Sequence, residues 1–268
     1  MSTTRPAEGR ATGPGSGSSL HRPSWLTQLT VLFRIEMTNW RWGWAGMLLR
    51  GTMTPLLGLL ALGVFARDAG SEAVVYVATG NIVVGLLFGT MDMVQSHITF
   101  LRFDGAMDYF ATLPIERFML IVAMALAFLL LSLPSLLVTI VAGPALLTLP
   151  VSPSPWLAVV VPLSTVSLAG VGGLLGLIGR TRGESLNLGF IFTLLLTAMG
   201  PVVIPPDRLP GFLRVLGQVV PSTYAASAFR QTLIGPVTGR LAVDMGVLLT
   251  VTVGSLWLVG RKMAWRQG

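Results

Sequence analysis

Asp92 and Asp244 are the groups whose type and place in this chain could do chemistry. Each is a carboxylate inside an apolar run, the kind of group on which a membrane carrier loads a proton. Both fall within about a turn of the end of their run, where water or headgroups solvate them, whereas an ion-coupled carrier buries such a group near the bilayer midplane. Other reactive side chains are sparse. Neither His97 nor His21 has a second histidine at metal-ligand spacing, and without cysteine there is no thiol catalysis, disulfide or thiolate metal site. The one lysine, Lys262, stands in GRKMAW and does not follow a glycine-rich phosphate loop, and no G-x-S-x-G occurs. The residues therefore argue against an enzyme and against ATP hydrolysis by this chain, and no cofactor or metal is expected in it.

The elements that carry these groups are those of an all-α polytopic membrane protein. Of 268 residues 53% are hydrophobic and 11% charged, and apolar runs of about 20 residues recur, each enough to cross a bilayer core. The pattern predicts six spans, roughly 47–66, 73–94, 118–142, 156–179, 185–204 and 241–260. No charged residue occurs between Arg117 and Arg180, a stretch of 62 positions that must fold back once, at the proline-rich 143–155. Residues 1–24, rich in Gly, Ser, Pro, Thr and Arg, are expected to be a disordered tail, with no cleavable signal peptide; residues 25–268 form the six-span unit. Over 25–44, Leu29, Leu32, Phe33, Met37, Trp40 and Trp44 recur at three- and four-residue spacing, predicting a helix along the membrane surface.

The net charge of +7 orients this chain and does not indicate nucleic acid, because the basic residues lie between spans. Six crossings put both termini on one side. That side holds 13 of the 18 basic residues, and the other holds Arg67, Arg208, Arg214, Arg230 and Arg240. The positive-inside rule places both termini in the cytoplasm.

On that side lies Leu101 to Arg117, LRFDGAMDYFATLPIER, a polar segment between two apolar runs. Asp104 caps a short helix in this reading, Pro114 ends it at Leu113, and a second helix restarts with Glu116 at its positive end. Asp104 and Asp108 share one face, opposite Met107 and Phe110. Interfacial helices favour basic faces, so the acidic face points to docking on a soluble partner, with Phe110 and Leu113 as anchors, rather than to a helix among headgroups.

Between the fifth and sixth runs, 205–235 is broken by Pro210, Gly217 and Pro221 into halves too short to cross, which lie on the outer leaflet or dip into it against protein. Phe212, Leu213, Leu216, Val219 and Val220 form an apolar face on the first half, and Ser222 caps the second. Within the runs, Ser185, Gly189, Thr193 and Thr197 recur every four positions, as do Gly172 with Gly176 and Gly85 with Gly89, marking close-packed faces. If the second and fifth spans line a pathway, Asn81, Thr193 and Thr197 are its hydrogen-bonding groups.

The order of these parts, with LPIERF closing the acidic segment and the pattern P-x-x-Y-x-x-x-A-x-R-x-x-x-x-G carried by Pro221, Tyr224, Arg230 and Gly235, resembles the membrane subunits of type-2 ABC exporters from Trp25 onward. The resemblance implies a permease in a bacterial plasma membrane, with 101–117 as its coupling helix. It implies pairing with a second copy of the chain and with two copies of a separate ATPase that holds ATP and Mg. A hydrophobic or amphipathic drug, natural product or lipid fits the apolar path. A lipid-linked saccharide, or an ion-coupled carrier, is the alternative.

Overall fold

The computed structural model describes residues 24–39, 44–107, 110 and 116–262, and every regular element among them is helical. The expected tail up to residue 23, Trp40, Trp42, Asp108, Leu113 and Pro114 lie outside the described residues. Helix α1 (Trp25–Asn39) starts where Ser24 Oγ accepts from the Thr27 amide. It is followed by α2 (Trp44–Ala69), and Gly70, at φ 104°, turns the chain at once into α3 (Ser71–Leu86). A single π turn at Leu87–Met91 joins α3 to α4 (Asp92–Phe103), so that 71–103 is one long helix.

Helix α5 (Arg117–Leu147) bends by 45° between its Phe118–Pro134 and Leu136–Leu147 parts, at the proline whose ring obstructs the preceding turn. After the proline-rich loop come α6 (Leu157–Gly176) and α7 (Arg182–Ala198), the latter capped by Thr181, whose side chain accepts from the Glu184 amide. The 205–235 segment forms α8 (Gly211–Gly217) and α9 (Pro221–Leu233), and α10 (Arg240–Lys262) ends the described chain.

Three helices, 71–103, α6 and α10, are long and apolar enough to cross a bilayer, and α5 makes a fourth if its two halves are one crossing. Helix α7, at 17 residues, and the apolar Thr52–Ala66 part of α2 are shorter than that. The turn expected at 143–155 starts later than its prolines suggest, because α5 continues through Gly143 and Pro144 to Leu147; beyond it Ser152 and Ser154 donate their amides to the carbonyls of Leu233 and Thr232, the otherwise unpaired end of α9.

Helix α6 is the hub, in contact with α4, α5, α7, α9 and α10. Its glycines allow this. A Cβ on Gly172 would overlap the Met91 carbonyl, and one on Gly176 would stand 2.8 Å from the Gln95 carbonyl oxygen, so the predicted small-residue face is where 71–103 comes closest. One buried cluster gathers Leu32, Val94, Ile98, Phe110, Met119 and Phe128 at the α4–α5 end, and another gathers Val83, Leu168, Phe229 and Leu248 around α6 and α9.

Candidate functional site

At the α4–α5 end, four elements converge on the 101–117 segment. The sequence reading starts this segment at Leu101, but Leu101 to Phe103 complete α4. Asp104 caps the end of that helix, donating its amide to the Phe100 carbonyl, and Gly105 follows at φ 76° as a left-handed stop; the expected short helix resumes directly after it, with Ala106, Met107 and Phe110 helical among the described residues. The Asp104 carboxylate, exposed, accepts from Arg182 at 3.2 Å, and the Arg182 guanidinium lies 4.0 Å over the Phe100 ring. An exposed pair adds little stability, but it sets the α6–α7 turn against the end of α4.

At the other end of the segment the Glu116 amide donates to Gln28 Oε1 of α1 at 2.9 Å. Phe110 is 6% exposed and belongs to the chain's own cluster, with Met107 half-buried against it. The expectation that Phe110 anchors a partner therefore needs correction: its ring is already used inside the chain. Phe103, 37% exposed beside Asp104, is an aromatic that faces outward here, as Phe100 and Phe118 do.

Helix α1 is also more than a surface helix. Gln28, Leu32 and Glu36, one turn apart in succession, are its buried face against α5. Glu36 pairs with His97 of α4, Nε2 to Oε2 3.2 Å, and His97 meets the Phe128 ring edge-on. Deeper in, Gln95 Nε2 donates to the Ser185 carbonyl at 2.7 Å and Thr99 Oγ1 bonds Ser185 Oγ at 2.9 Å, so the head of the Ser185–Gly189 stripe fastens α7 to α4. The sequence reading named Ser185 but missed Gln28, Glu36, Gln95 and Thr99; the one available signal was the one-turn spacing of Gln95 and Thr99 facing that stripe.

At the opposite end, α9 begins at Pro221 and is buried along most of its length by α3, α6 and α10, so this half packs against protein. Ser222 does not cap it: its hydroxyl donates to the Leu196 carbonyl at 2.6 Å, tying α9 to α7. Tyr224 donates its hydroxyl to the Gln218 carbonyl. Of the predicted apolar face, Phe212, Leu216 and Val219 are exposed, Leu213 is half-buried, and Val220, beyond the end of α8, turns into the core. Arg230 stacks 3.9 Å over Tyr76 and donates to the carbonyls of Pro201 and Val202. Burial lowers its pKa to about 10, with Tyr76, Asp244 and Glu72 pulling the other way, so it remains cationic at neutral pH.

Asp244 is fully buried, not solvated at a span end as the sequence suggests, because α9 covers it: Ser227 donates to its Oδ2 at 2.6 Å and Gln231 at 2.9 Å. Asp92 is half-buried directly after the π turn.

The three expected pathway residues are not brought to one cavity. Asn81 is buried against Gly58 of α2 and donates to the Val77 carbonyl. Thr193 is buried and bonds back to Gly189, and Thr197 bonds back to Thr193. Of the three, Thr197 lines an apolar cavity of about 420 Å³, with Phe65, Val77, Val203 and Ile204. Beside it is a polar chamber of about 490 Å³ lined by Tyr76, Tyr224, Arg214, Arg230 and Arg240.

Among known proteins, a family model described as ABC-2 type transporter matches residues 27–234, from α1 through α9. No curated protein matches the chain.

Proposed function

The chain belongs to the ABC-2 type transporter family, and we propose that it is the permease subunit of an ATP-driven exporter moving a hydrophobic or amphipathic compound (drug, natural product, lipid or lipid-linked saccharide) across a bacterial plasma membrane. Permeases of this family generally work with a separate ABC ATPase. In this reading two copies of that ATPase, holding ATP and Mg, serve two copies of this chain. Each copy crosses the bilayer six times, α2 and α7 being the spans additional to 71–103, α5, α6 and α10, and both termini face the cytoplasm.

The observation that carries the reading is the junction around 101–117. Asp104 is bonded to Arg182 at the start of α7, Glu116 to α1, and Phe110 is packed into the core between α4 and α5. A push on this segment by a closing ATPase dimer is therefore delivered to four elements at once and not to one loop. In this reading Asp104, Met107, Phe103 and Glu116 supply the surface and its support, and the coupling roles expected of Asp108, Leu113 and Pro114 from the sequence are proposed for residues outside the described ones. Phe110 holds the segment to the chain and does not meet the partner. An ion-coupled carrier would instead need Asp244 to exchange its proton while held by Ser227 and Gln231.

The orientation is tested by single cysteines, which the native sequence does not confuse because it has none. Ser71→Cys and Ser154→Cys should react with an impermeant maleimide added to intact cells, and Thr181→Cys only after lysis. Labelling of Thr181→Cys from outside would invert the protein and remove the 101–117 segment from the compartment that holds ATP.

A further inference from the structure

We propose that the two cavities at the α9 end are one two-compartment site for an anionic amphiphile, with its phosphate- or carboxylate-type head in the arginine-lined chamber and its tail in the apolar cavity. This deepens the exporter reading above, on which it rests, by naming the charge class of the compound. The two cavities share a wall. Gly200, Val203, Ile204 and Pro205 line the apolar one, while Pro201 and Pro206, from the same stretch of chain, line the chamber. On α3 the neighbours Val77 and Tyr76 divide in the same way. A molecule lying over this wall would meet a mainly apolar lining on one side, in which Arg208 is the one charged residue, and three arginines on the other. Both volumes fall within the range of small-molecule sites, about 300–1,000 Å³.

The chamber is cationic in a usable way. Arg214 donates to the Pro206 carbonyl and Arg230 to those of Pro201 and Val202, so their partners are neutral, and among the described residues neither they nor Arg240 stands within ion-pair distance of a carboxylate. The carboxylates nearby are Asp244, whose Oδ2 is covered by Ser227 and Gln231, and Glu72, at the start of α3. Thr223 also lines the chamber, but its hydroxyl is packed against Gly200 and leaves the arginines as the groups that meet a head. Guanidinium groups suit such a head because they offer paired donors in the geometry of phosphate and carboxylate oxygens.

The test is equilibrium binding to the intact chain in maltoside detergent, without ATP or ATPase, so that a failure here leaves the coupling reading standing and a failure of coupling leaves this measurement interpretable. The probes are lysophosphatidic acid, lysophosphatidylcholine with the same acyl chain, and inorganic phosphate. The anionic lipid should bind about tenfold more tightly than the zwitterionic one. Arg240→Gln, at an exposed position, should abolish most of that preference by weakening the anionic lipid far more than the zwitterionic one, whose phosphate carries one charge and is offset by its choline, and Arg240→Lys should retain it. Ala198→Phe, which fills the apolar cavity, should weaken both lipids alike. Variants are compared only where their melting temperature matches the parent's. Equal affinity for the two lipids, an unchanged preference in Arg240→Gln, or displacement of the anionic lipid by an equal concentration of inorganic phosphate would overturn the proposal, the last by showing a free-anion site that makes no use of a tail.

Discussion

Phe110→Ala should destabilise the permease itself by about 3–5 kcal/mol, the cost of truncating a core aromatic. The ring is 6% exposed in the cluster with Leu32, Ile98 and Met119, so its removal leaves a cavity where α1, α4 and α5 meet. The check is thermal unfolding of the purified chain beside a pull-down of its ATPase. A large fall in melting temperature is expected, with loss of ATPase binding following from it and partly recovered in Phe110→Leu, which refills some of the volume. Phe103→Ala, at the exposed rim, should change stability by only about 0.5 kcal/mol or less and act on partner binding directly. If Phe110→Ala kept its melting temperature and lost only the partner, the ring would belong to the interface between subunits and not to this core.

His97→Leu should be comparably costly, about 3–5 kcal/mol, because it strips the partner from a carboxylate that is 1% exposed. The remedy is as informative as the damage. Glu36→Leu combined with His97→Leu removes the stranded charge and should recover most of the loss, giving a strongly non-additive double-mutant cycle. Simple additivity of the two substitutions would mean that α1 is held to α4 by packing alone and that the pair contributes no coupling between them.

Much of the architecture was legible in residue spacing, and the failures have one cause. Apolar runs located the helices, the proline-rich loop located the fold-back, and the Gly172–Gly176 stripe located a close approach of two helices. Periodicity also split 205–235 into two short helices, because Pro210, Gly217 and Pro221 act on the backbone locally. What spacing could not tell was which face of a helix meets protein and which meets lipid, since both are apolar surroundings. Phe110 was therefore assigned outward when it packs inward. Asp244 was read as edge-solvated from its place in the run, although a helix distant in sequence covers it. On α1 Leu32 of the predicted apolar face does turn inward, but Gln28 and Glu36 share that buried face with it and bond to partners 88 and 61 positions away, which periodicity of apolar residues does not show. The end of α4 was misread for a different reason: Asp104 favours either end of a helix break, and the positive φ of Gly105 decides which.

The most direct test of the account is a cross-link in native membranes from the single-cysteine variant Phe103→Cys, with Thr238→Cys at the opposite end of the bundle as its counterpart. A short bifunctional reagent should join Phe103→Cys to a soluble protein that carries a Walker phosphate loop, more strongly when ATP is present, and should join no such protein to Thr238→Cys. Failure of Phe103→Cys to capture that ATPase while the variant still transports, or capture from Thr238→Cys instead, would contradict the assignment of 101–117 as the place where ATP hydrolysis is coupled to this permease.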